Sequence, residues 1–300
     1  MKPAPFDYLR AASLEDACAL LATHGPDARL IAGGQSLVPM MAMRLLRPTW
    51  LIDVADVPEL SGVTLGPDSV VIGACTRQHV LASHAGLAKA LPLLGQALAW
   101  TGHDQTRNRG TIGGSLVHAD PSAEQPLAAV LLDATLRLRS TGRGERIVSA
   151  RQFFDGPMST VIAPDECLVD ITFPRWTGQR IGSAFDEVAI RHGDFALASA
   201  CAQISLDAGG RCLRVALALG GVAGTPIDVS SFAAMLVGQR AEAAVIASVA
   251  DAVAASLEPP GDLHASPEYR RSLAGTLCRR VLEGAISHAH EQALASQEAA

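Results

Sequence analysis

Thr101-Gly102-His103-Asp104-Gln105-Thr106-Arg107-Asn108-Arg109-Gly110-Thr111-Ile112-Gly113-Gly114-Ser115-Leu116, followed directly by Val117-His118-Ala119-Asp120-Pro121, is the stretch on which the reading of this chain turns. A glycine pair flanked by hydroxyl residues lets backbone come close to an anion, because no side chain intervenes and the amide N–H groups are free to point at it. The same idea occurs upstream in Leu30-Ile31-Ala32-Gly33-Gly34-Gln35-Ser36-Leu37. Two such loops can clamp the two phosphates of a dinucleotide. Neither is a Walker A loop, since no Gly-Lys-Ser/Thr follows, and neither has the G-x-G-x-x-G spacing of a Rossmann fingerprint.

Working outward, 300 residues exceed what one hydrophobic core usually serves, so two or three packed units are expected. An apolar fraction of 49% against 18% charged residues is that of a well-buried globular protein. The net charge of -6 and an aromatic share of 4% leave neither a basic stripe nor a stacking platform, which argues against a nucleic-acid partner. No apolar run reaches the roughly 18 residues that span a bilayer, and Met1 to Asp7 lacks the apolar core of a signal peptide. A cytoplasmic location without membrane insertion is the expectation. The cysteines Cys18, Cys75, Cys167, Cys201, Cys212 and Cys278 are widely spaced within apolar segments and form no C-x-x-C pair. They read as buried small hydrophobes, and not as ligands of an iron–sulfur cluster held by this chain alone.

Upstream of the decisive stretch, Ser13-Leu14-Glu15-Asp16 resembles a capping box with Asp in place of Glu, and Leu14, Ala17, Cys18 and Leu21 recur at helical spacing before His24-Gly25-Pro26. Arg29 to Ala32 reads as a strand running into the first glycine pair, after which Ser36 caps a helix carrying Pro39, Met40, Met41 and Met43. The methionines read as core filler. With the strand Leu51 to Val54, a small βαβ-like unit closes near residue 57. Val70 to Ala74 is a strand, Thr76 an N-cap, Gln78 to Ser83 a short helix, and Leu87 to Trp100 a longer one. Strands at Ala134 to Arg139 and Cys167 to Phe173 complete a second unit near residue 176. The last part changes character: Ser183 to Ile190, Ala196 to Leu206 and Arg211 to Leu219 fit three antiparallel strands with a hairpin at Asp207 to Gly210, and Ala241 to Leu257 and Pro267 to His288 read as helices. Glu291 to Ala300 is expected to fray.

The glycine loops with their flanks, Ala32-Gly33-Gly34-Gln35-Ser36-Leu37 before Pro39-Met40-Met41 and Arg107 to Ser115 before His118-Ala119-Asp120-Pro121, resemble the FAD-binding medium subunit of molybdenum hydroxylases. This is the family of the carbon monoxide dehydrogenase and quinoline oxidoreductase medium chains, related to the flavin domain of xanthine dehydrogenase. Arg191-His192-Gly193-Asp194-Phe195-Ala196, Gly220-Gly221-Val222-Ala223-Gly224-Thr225-Pro226 and Ser266-Pro267-Glu268-Tyr269-Arg270-Arg271 extend the resemblance over nearly the whole chain, in order.

The resemblance implies an α+β fold. A PCMH-type FAD-binding domain over 1–176, with subdomains of about 1–57 and 58–176, would precede an α+β C-terminal domain over 177–290 built on a three-stranded antiparallel sheet with helices. It implies that Ala32, Gly33, Gly34, Gln35 and Ser36 with Thr111, Ile112, Gly113, Gly114 and Ser115 hold the FAD pyrophosphate. It implies, too, that Asp120 lies near the adenosine end, where a carboxylate suits ribose hydroxyls; as an alternative it is a turn cap before Pro121. Arg107 and Arg109 either neutralise the diphosphate or form a solvated edge. His118 and Asp120 would share a face on a strand, but no third metal ligand is in view. Phe195 either packs near the isoalloxazine ring or is a core aromatic. No side chain here is expected to be catalytic, and no metal is expected.

The implied role is electron transfer within a heterotrimer. A large subunit would carry the molybdenum cofactor, a small subunit two [2Fe–2S] clusters, and this chain FAD, from which electrons leave for an external acceptor. A dimer of heterotrimers is the expected assembly. The rival readings are a stand-alone flavin oxidase of the same cofactor-binding type and a flavin-free scaffold subunit.

Overall fold

The structure, a computed structural model, describes residues 2–178 and 180–298, with backbone alone for 295–298. Three packed units each carry their own principal sheet. The first comprises β1 (Asp7–Arg10), α1 (Leu14–His24), β2 (Ala28–Ile31), α2 (Leu37–Ala42) and β3 (Trp50–Asp53), with strand order β1-β3-β2 and both pairings parallel. Ser13 caps α1 by accepting from Asp16 N at 3.1 Å, but Asp16 reaches back to Ala12 N at 2.9 Å, one residue beyond the reciprocal box the sequence suggested. The α1 stripe Leu14, Ala17, Cys18 and Leu21 is buried against Ile52 and Val54 and against Cys75, Cys167 and Val169 of the next unit. Each fully buried aliphatic side chain there contributes about 2 kcal/mol.

The second unit runs through β4 (Val63–Leu65), β5 (Ser69–Gly73), α3 (Gln78–Ser83), α4 (Ala85–Ala90), α5 (Pro92–Trp100), α6 (Asp104–Arg109), α7 (Ile112–His118), α8 (Glu124–Leu131), β6 (Thr135–Ser140), β7 (Gly144–Ser149), α9 (Ala150–Phe153), β8 (Phe154–Gly156), β9 (Ser159–Thr160) and β10 (Cys167–Pro174). Its antiparallel sheet has the order β4-β5-β10-β6-β7. Leu93, Leu94 and Leu98 of α5, Ile112 and Leu116 of α7, and Leu127 of α8 bury against Leu136, Leu138, Ile171 and Phe173 of that sheet. The single helix expected over Leu87 to Trp100 is broken, because Pro92 opens α5 and cannot continue α4. Thr76 is not the cap of α3, which starts after Arg77 without a side-chain cap. Its hydroxyl instead joins Gly62, accepting from Gly62 N at 2.9 Å and donating to Gly62 O at 3.1 Å.

The third unit contains β11 (Ile181–Val188), β12 (Ala198–Leu206), β13 (Cys212–Gly220), β14 (Ile227–Asp228), α10 (Ser230–Ala233), α11 (Ala243–Ser256) and α12 (Pro267–Glu298). The expected three strands and their hairpin are present, with Asp207 N donating to Arg211 O at 2.8 Å, and β14 adds a fourth strand at the edge of β13. Gly182 lets α12 lie directly on the sheet, since a Cβ there would sit 1.9 Å from Ala285 O. On the opposite face, Phe185, Cys201 and Ala218 join the core of the second unit. With both faces covered, every residue of β12 is buried. The expected fraying over Glu291 to Ala300 is not found in the described part of that tail, where α12 continues through Glu298; residues 299–300 lie outside the described residues. Among the described residues no helix is long and apolar enough to cross a membrane.

Candidate functional site

The first glycine pair leaves the C-terminal end of β2, where the parallel sheet opens, and α2 begins six residues beyond Ile31, at Leu37. Gly34 has φ +70, a conformation that glycine adopts without strain. Gly33 is a point of close approach: a Cβ there would lie 2.3 Å from Arg109 O and 2.8 Å from Gly110 Cα. The backbone of the first glycine loop therefore rests directly on the segment that leads into the second. Ser36 occupies the N-cap position of α2, yet its hydroxyl makes no capping hydrogen bond. Among the described residues, the N–H groups of Gly33, Gly34, Gln35 and Ser36 have no intramolecular acceptor, and Gln35 Nε2 folds back onto Gly33 O at 3.3 Å. Consecutive unpartnered N–H groups in a glycine turn form a concavity suited to an anion.

The second glycine pair is not a loop. Gly113 and Gly114 form the first turn of α7, with Thr111 as its N-cap accepting from Gly114 N at 3.1 Å. The remaining first-turn donors are also engaged: Ile112 N with Thr76 O at 3.2 Å, Gly113 N with Ala74 O at 2.8 Å, and Ser115 N with Thr111 O at 3.1 Å. Gly113 is buried, and a Cβ on it would meet Ala74 Cβ at 2.5 Å and Ala74 O at 2.6 Å. Ile112 lies in the core. The expectation that this segment offers free N–H groups to an anion is thus corrected: the helix and the end of β5 consume them. The exposed backbone of Gly114 and the hydroxyl of half-buried Ser115 are what this turn presents outward.

The two arginines separate. Arg107 donates to Thr101 O at 2.8 Å and Gly102 O at 3.0 Å and pairs with Asp104, so it secures the end of α5. Arg109 is exposed, has no hydrogen-bond or ion-pair partner for its guanidinium among the described residues, and lines a cavity of about 510 Å³ with Ala32, Gly33, Gly34, Gln35 and Asp53. Arg77 Nη1 donates to Arg109 O, tying the strand-to-helix turn after β5 to the same place.

Asp53 was missed by sequence reasoning. It ends β3 level with Ile31 of β2, which brings its carboxylate into the cavity. One oxygen accepts from Ala55 N at 2.8 Å and the other from the Tyr8 hydroxyl, and that hydrogen bond holds the phenol above its usual pKa. The signal that could have found it is the parallel pairing of two strands that both end at a turn.

Asp120 follows the left-handed Ala119 at the end of α7, and its Oδ1 accepts from Ser122 N at 2.9 Å. The turn role considered for it is present, and the second oxygen has no partner among the described residues. His118 belongs to the last turn of α7 and not to a strand, so the shared-face argument for a metal pair fails; among the described residues no group of three His, Cys, Asp or Glu could hold a metal ion. Phe195 is 68% exposed, which overturns its reading as a core aromatic. It lies on the Arg191 to Ala196 turn, where His192 stacks on Trp100 with centroids 5.3 Å apart. Met41 is buried as expected of core filler, whereas Met43 is exposed. All six cysteines are free and buried, and burial pushes the Cys75 thiol up to about 12, so it is not a reactive group.

A family model described as the FAD binding domain in molybdopterin dehydrogenase matches residues 4–176. The CO dehydrogenase flavoprotein C-terminal domain matches residues 183–285. The 6-hydroxypseudooxynicotine dehydrogenase complex subunit alpha of Paenarthrobacter nicotinovorans is 38% identical, with 96% of this chain and 97% of that protein covered. Among solved structures, quinoline 2-oxidoreductase of Pseudomonas putida 86 superposes with a TM-score of 0.91 at 38% identity, covering 96% of this chain and 99% of that one. Carbon monoxide dehydrogenase of Hydrogenophaga pseudoflava, in a form lacking the Mo-pyranopterin moiety of its molybdenum cofactor, gives 0.92 at 35% identity with the same coverage. The chain belongs to the FAD-binding medium subunits of the molybdenum hydroxylases, an oxidoreductase flavoprotein family, and it carries both of that family's domains.

Proposed function

We propose that this chain holds the diphosphate of FAD in the cleft between Ala32–Ser36 and the Arg109–Ser115 segment. It would receive electrons from [2Fe–2S] clusters of a small subunit and pass them to an external acceptor. The observation that carries this reading is the row of N–H groups at Gly33, Gly34, Gln35 and Ser36 without a partner among the described residues, in a loop whose Gly33, Gly34 and Gln35 line the same cavity as the unpaired guanidinium of Arg109. Amide donors at a glycine turn together with one fixed positive charge suit a diphosphate, so the residues present fit the cofactor. The Gly114 backbone and the Ser115 hydroxyl would complete the cradle from the other side. Thr111, Ile112 and Gly113 would support it from beneath, by capping and packing α7. Asp53 and the open oxygen of Asp120 are acceptors placed for cofactor hydroxyls.

Bound FAD would take electrons singly and release them as a pair. For this the chain's residues bind and orient; none acts as acid or base on the substrate of the complex. The substrate and the molybdenum cofactor would belong to a large partner subunit, consistent with relatives that are subunits of dehydrogenase complexes. A dimer of such heterotrimers in the cytoplasm is the assembly proposed. The visible spectrum of the purified full-length chain tests the reading: flavin bands that disappear on Gly33→Val replacement in a folded protein are expected, and a flavin content that the replacement leaves unchanged contradicts it.

A further inference from the structure

Arg270, at the end of the first turn of α12, is only 6% exposed, and its guanidinium is shared among partners from separate parts of the chain. Nη2 pairs with Asp262 at 2.7 Å. Nη1 donates to Gly221 O at 2.9 Å and also to Leu197 O. Those two carbonyls belong to the turns by which the third unit grips Pro121 and Ser122. Gly221 N donates to Pro121 O at 2.8 Å, and Ser122 Oγ donates to the oxygen of Ala196, the residue before Leu197, at 2.8 Å. Asp120 adjoins this grip directly, and its carboxylate orientation is set by Ser122 N at 2.9 Å.

The turns themselves depend on one another. Gly221 has φ +72, and a Cβ on it would lie 3.0 Å from Leu197 O. Both carbonyls accept from the same guanidinium nitrogen, whose two N–H donors and positive charge hold the two dipoles in that convergent arrangement. Asp262 compensates the buried charge and is itself held by the N–H groups of His264 at 2.8 Å and Ala265 at 2.9 Å. A chain of hydrogen bonds therefore leads from the start of α12, through the Leu197 and Gly221 turns, to the segment that carries Asp120.

We infer that Arg270 is a positioning residue for the cofactor: by fixing the Leu197 and Gly221 turns it holds Pro121 and Ser122, and so aims the free carboxylate oxygen of Asp120 at a hydroxyl of the bound dinucleotide. This rests on the reading of Asp120 given above. Arg270 touches no cofactor itself. Lysine keeps the charge but lacks the planar fork that serves a carboxylate on one nitrogen and two carbonyls on the other, so it restores the arrangement only in part.

The test is a double-mutant cycle on the full-length chain, reading the FAD dissociation constant by flavin-fluorescence titration, with the thermal midpoint measured alongside. Asp120→Ala is expected to weaken FAD about tenfold, the size of one hydrogen bond to a charged group. Arg270→Met is expected to weaken it by a similar factor, with the double variant no weaker than either single one. Should Arg270→Met fail to fold, Arg270→Lys takes its place, with a smaller loss that likewise vanishes in the Asp120→Ala background. Losses that multiply in the double variant, or Arg270 variants that melt earlier yet bind FAD as tightly as the parent, overturn the inference. An Asp120→Ala chain with undiminished affinity overturns the reading of Asp120, and the inference with it.

Discussion

Adjacent glycines in the second pair do different jobs, and single methyl groups separate them. Gly113→Ala drives a Cβ into Ala74, whose Cβ and O would be 2.5 and 2.6 Å away at the end of β5. Overpacking of this kind costs about 1–3 kcal/mol, so the thermal midpoint should fall. Gly114→Ala meets only Thr111 Oγ1, at 2.8 Å. The gain in helix propensity and the disturbed cap are each about 1 kcal/mol and oppose one another. Its midpoint should stay nearly level while FAD affinity drops, because in the proposed cradle the exposed backbone of Gly114 is what approaches the diphosphate. Melting and flavin titration of the two variants check this assignment, and the reverse pattern would contradict it. The glycine pairs were legible in the sequence as points of close approach. What each glycine approaches was not: for Gly113 it is protein, a fact that exists only once β5 and α7 have come together. The separation of Arg107 from Arg109 was hidden for the same reason, since Arg107 is claimed by carbonyls at the end of α5.

At the level of elements, legibility followed burial. α1 was readable because its cap and its apolar stripe agree; Ser13→Ala should cost about 1 kcal/mol in a denaturant titration, the typical value of a lost N-cap. An unchanged midpoint would show that Glu59, whose carboxylate accepts from Leu14 N at 3.4 Å, supports the helix start alone. The strands β10 to β13 were readable as apolar or alternating runs, since one or both of their faces are covered. β1 and β4 are short, exposed edge strands and β7 is exposed along most of its length, so none had an apolar pattern to betray it. α6 has no buried residue at all, and α7 carries two glycines, each costing about 1 kcal/mol against alanine. Tertiary contacts hold these two helices: Ile112 and Leu116 enter the core, and the N–H groups of Ile112 and Gly113 bond to the chain after β5. A segment whose helicity is imposed by its neighbours reads, in sequence, as a loop. Asp53 escaped notice similarly, because its place in the cavity depends on the β2–β3 register.

On the scale of the whole molecule, the second and third units meet across a face that buries carboxylates. Glu187 on β11 is 4% exposed, and neither of its oxygens has a hydrogen-bond partner among the described residues. Burial, with Glu124 and Asp186 adding to it, pushes its pKa from 4.5 up to about 8. Glu124 on α8, whose carboxylate accepts from the Thr101 hydroxyl at 3.0 Å, is raised by burial to about 7, with Arg107 opposing weakly. Between pH 4.5 and about 8 the folded chain keeps a proton on Glu187 that the unfolded chain has lost, so this group makes stability fall as pH rises through that window. Glu187→Gln should flatten the slope, leaving the share that Glu124 contributes up to about pH 7, and gain on the order of 2 kcal/mol at pH 8, with little effect near pH 4. Denaturation midpoints of parent and variant across that range check it; parallel curves would contradict it. The third unit also bonds to the residues after Asp120, through Gly221 N to Pro121 O and Ser122 Oγ to Ala196 O, so in the proposed function it helps to hold the cofactor. The most direct test of that account is the flavin-to-protein ratio of the purified full-length chain and of Gly33→Val, with folding verified by circular dichroism. The account predicts equimolar FAD in the parent and a folded, colourless variant, whereas a colourless parent after FAD addition, or a variant that keeps its flavin, would contradict it.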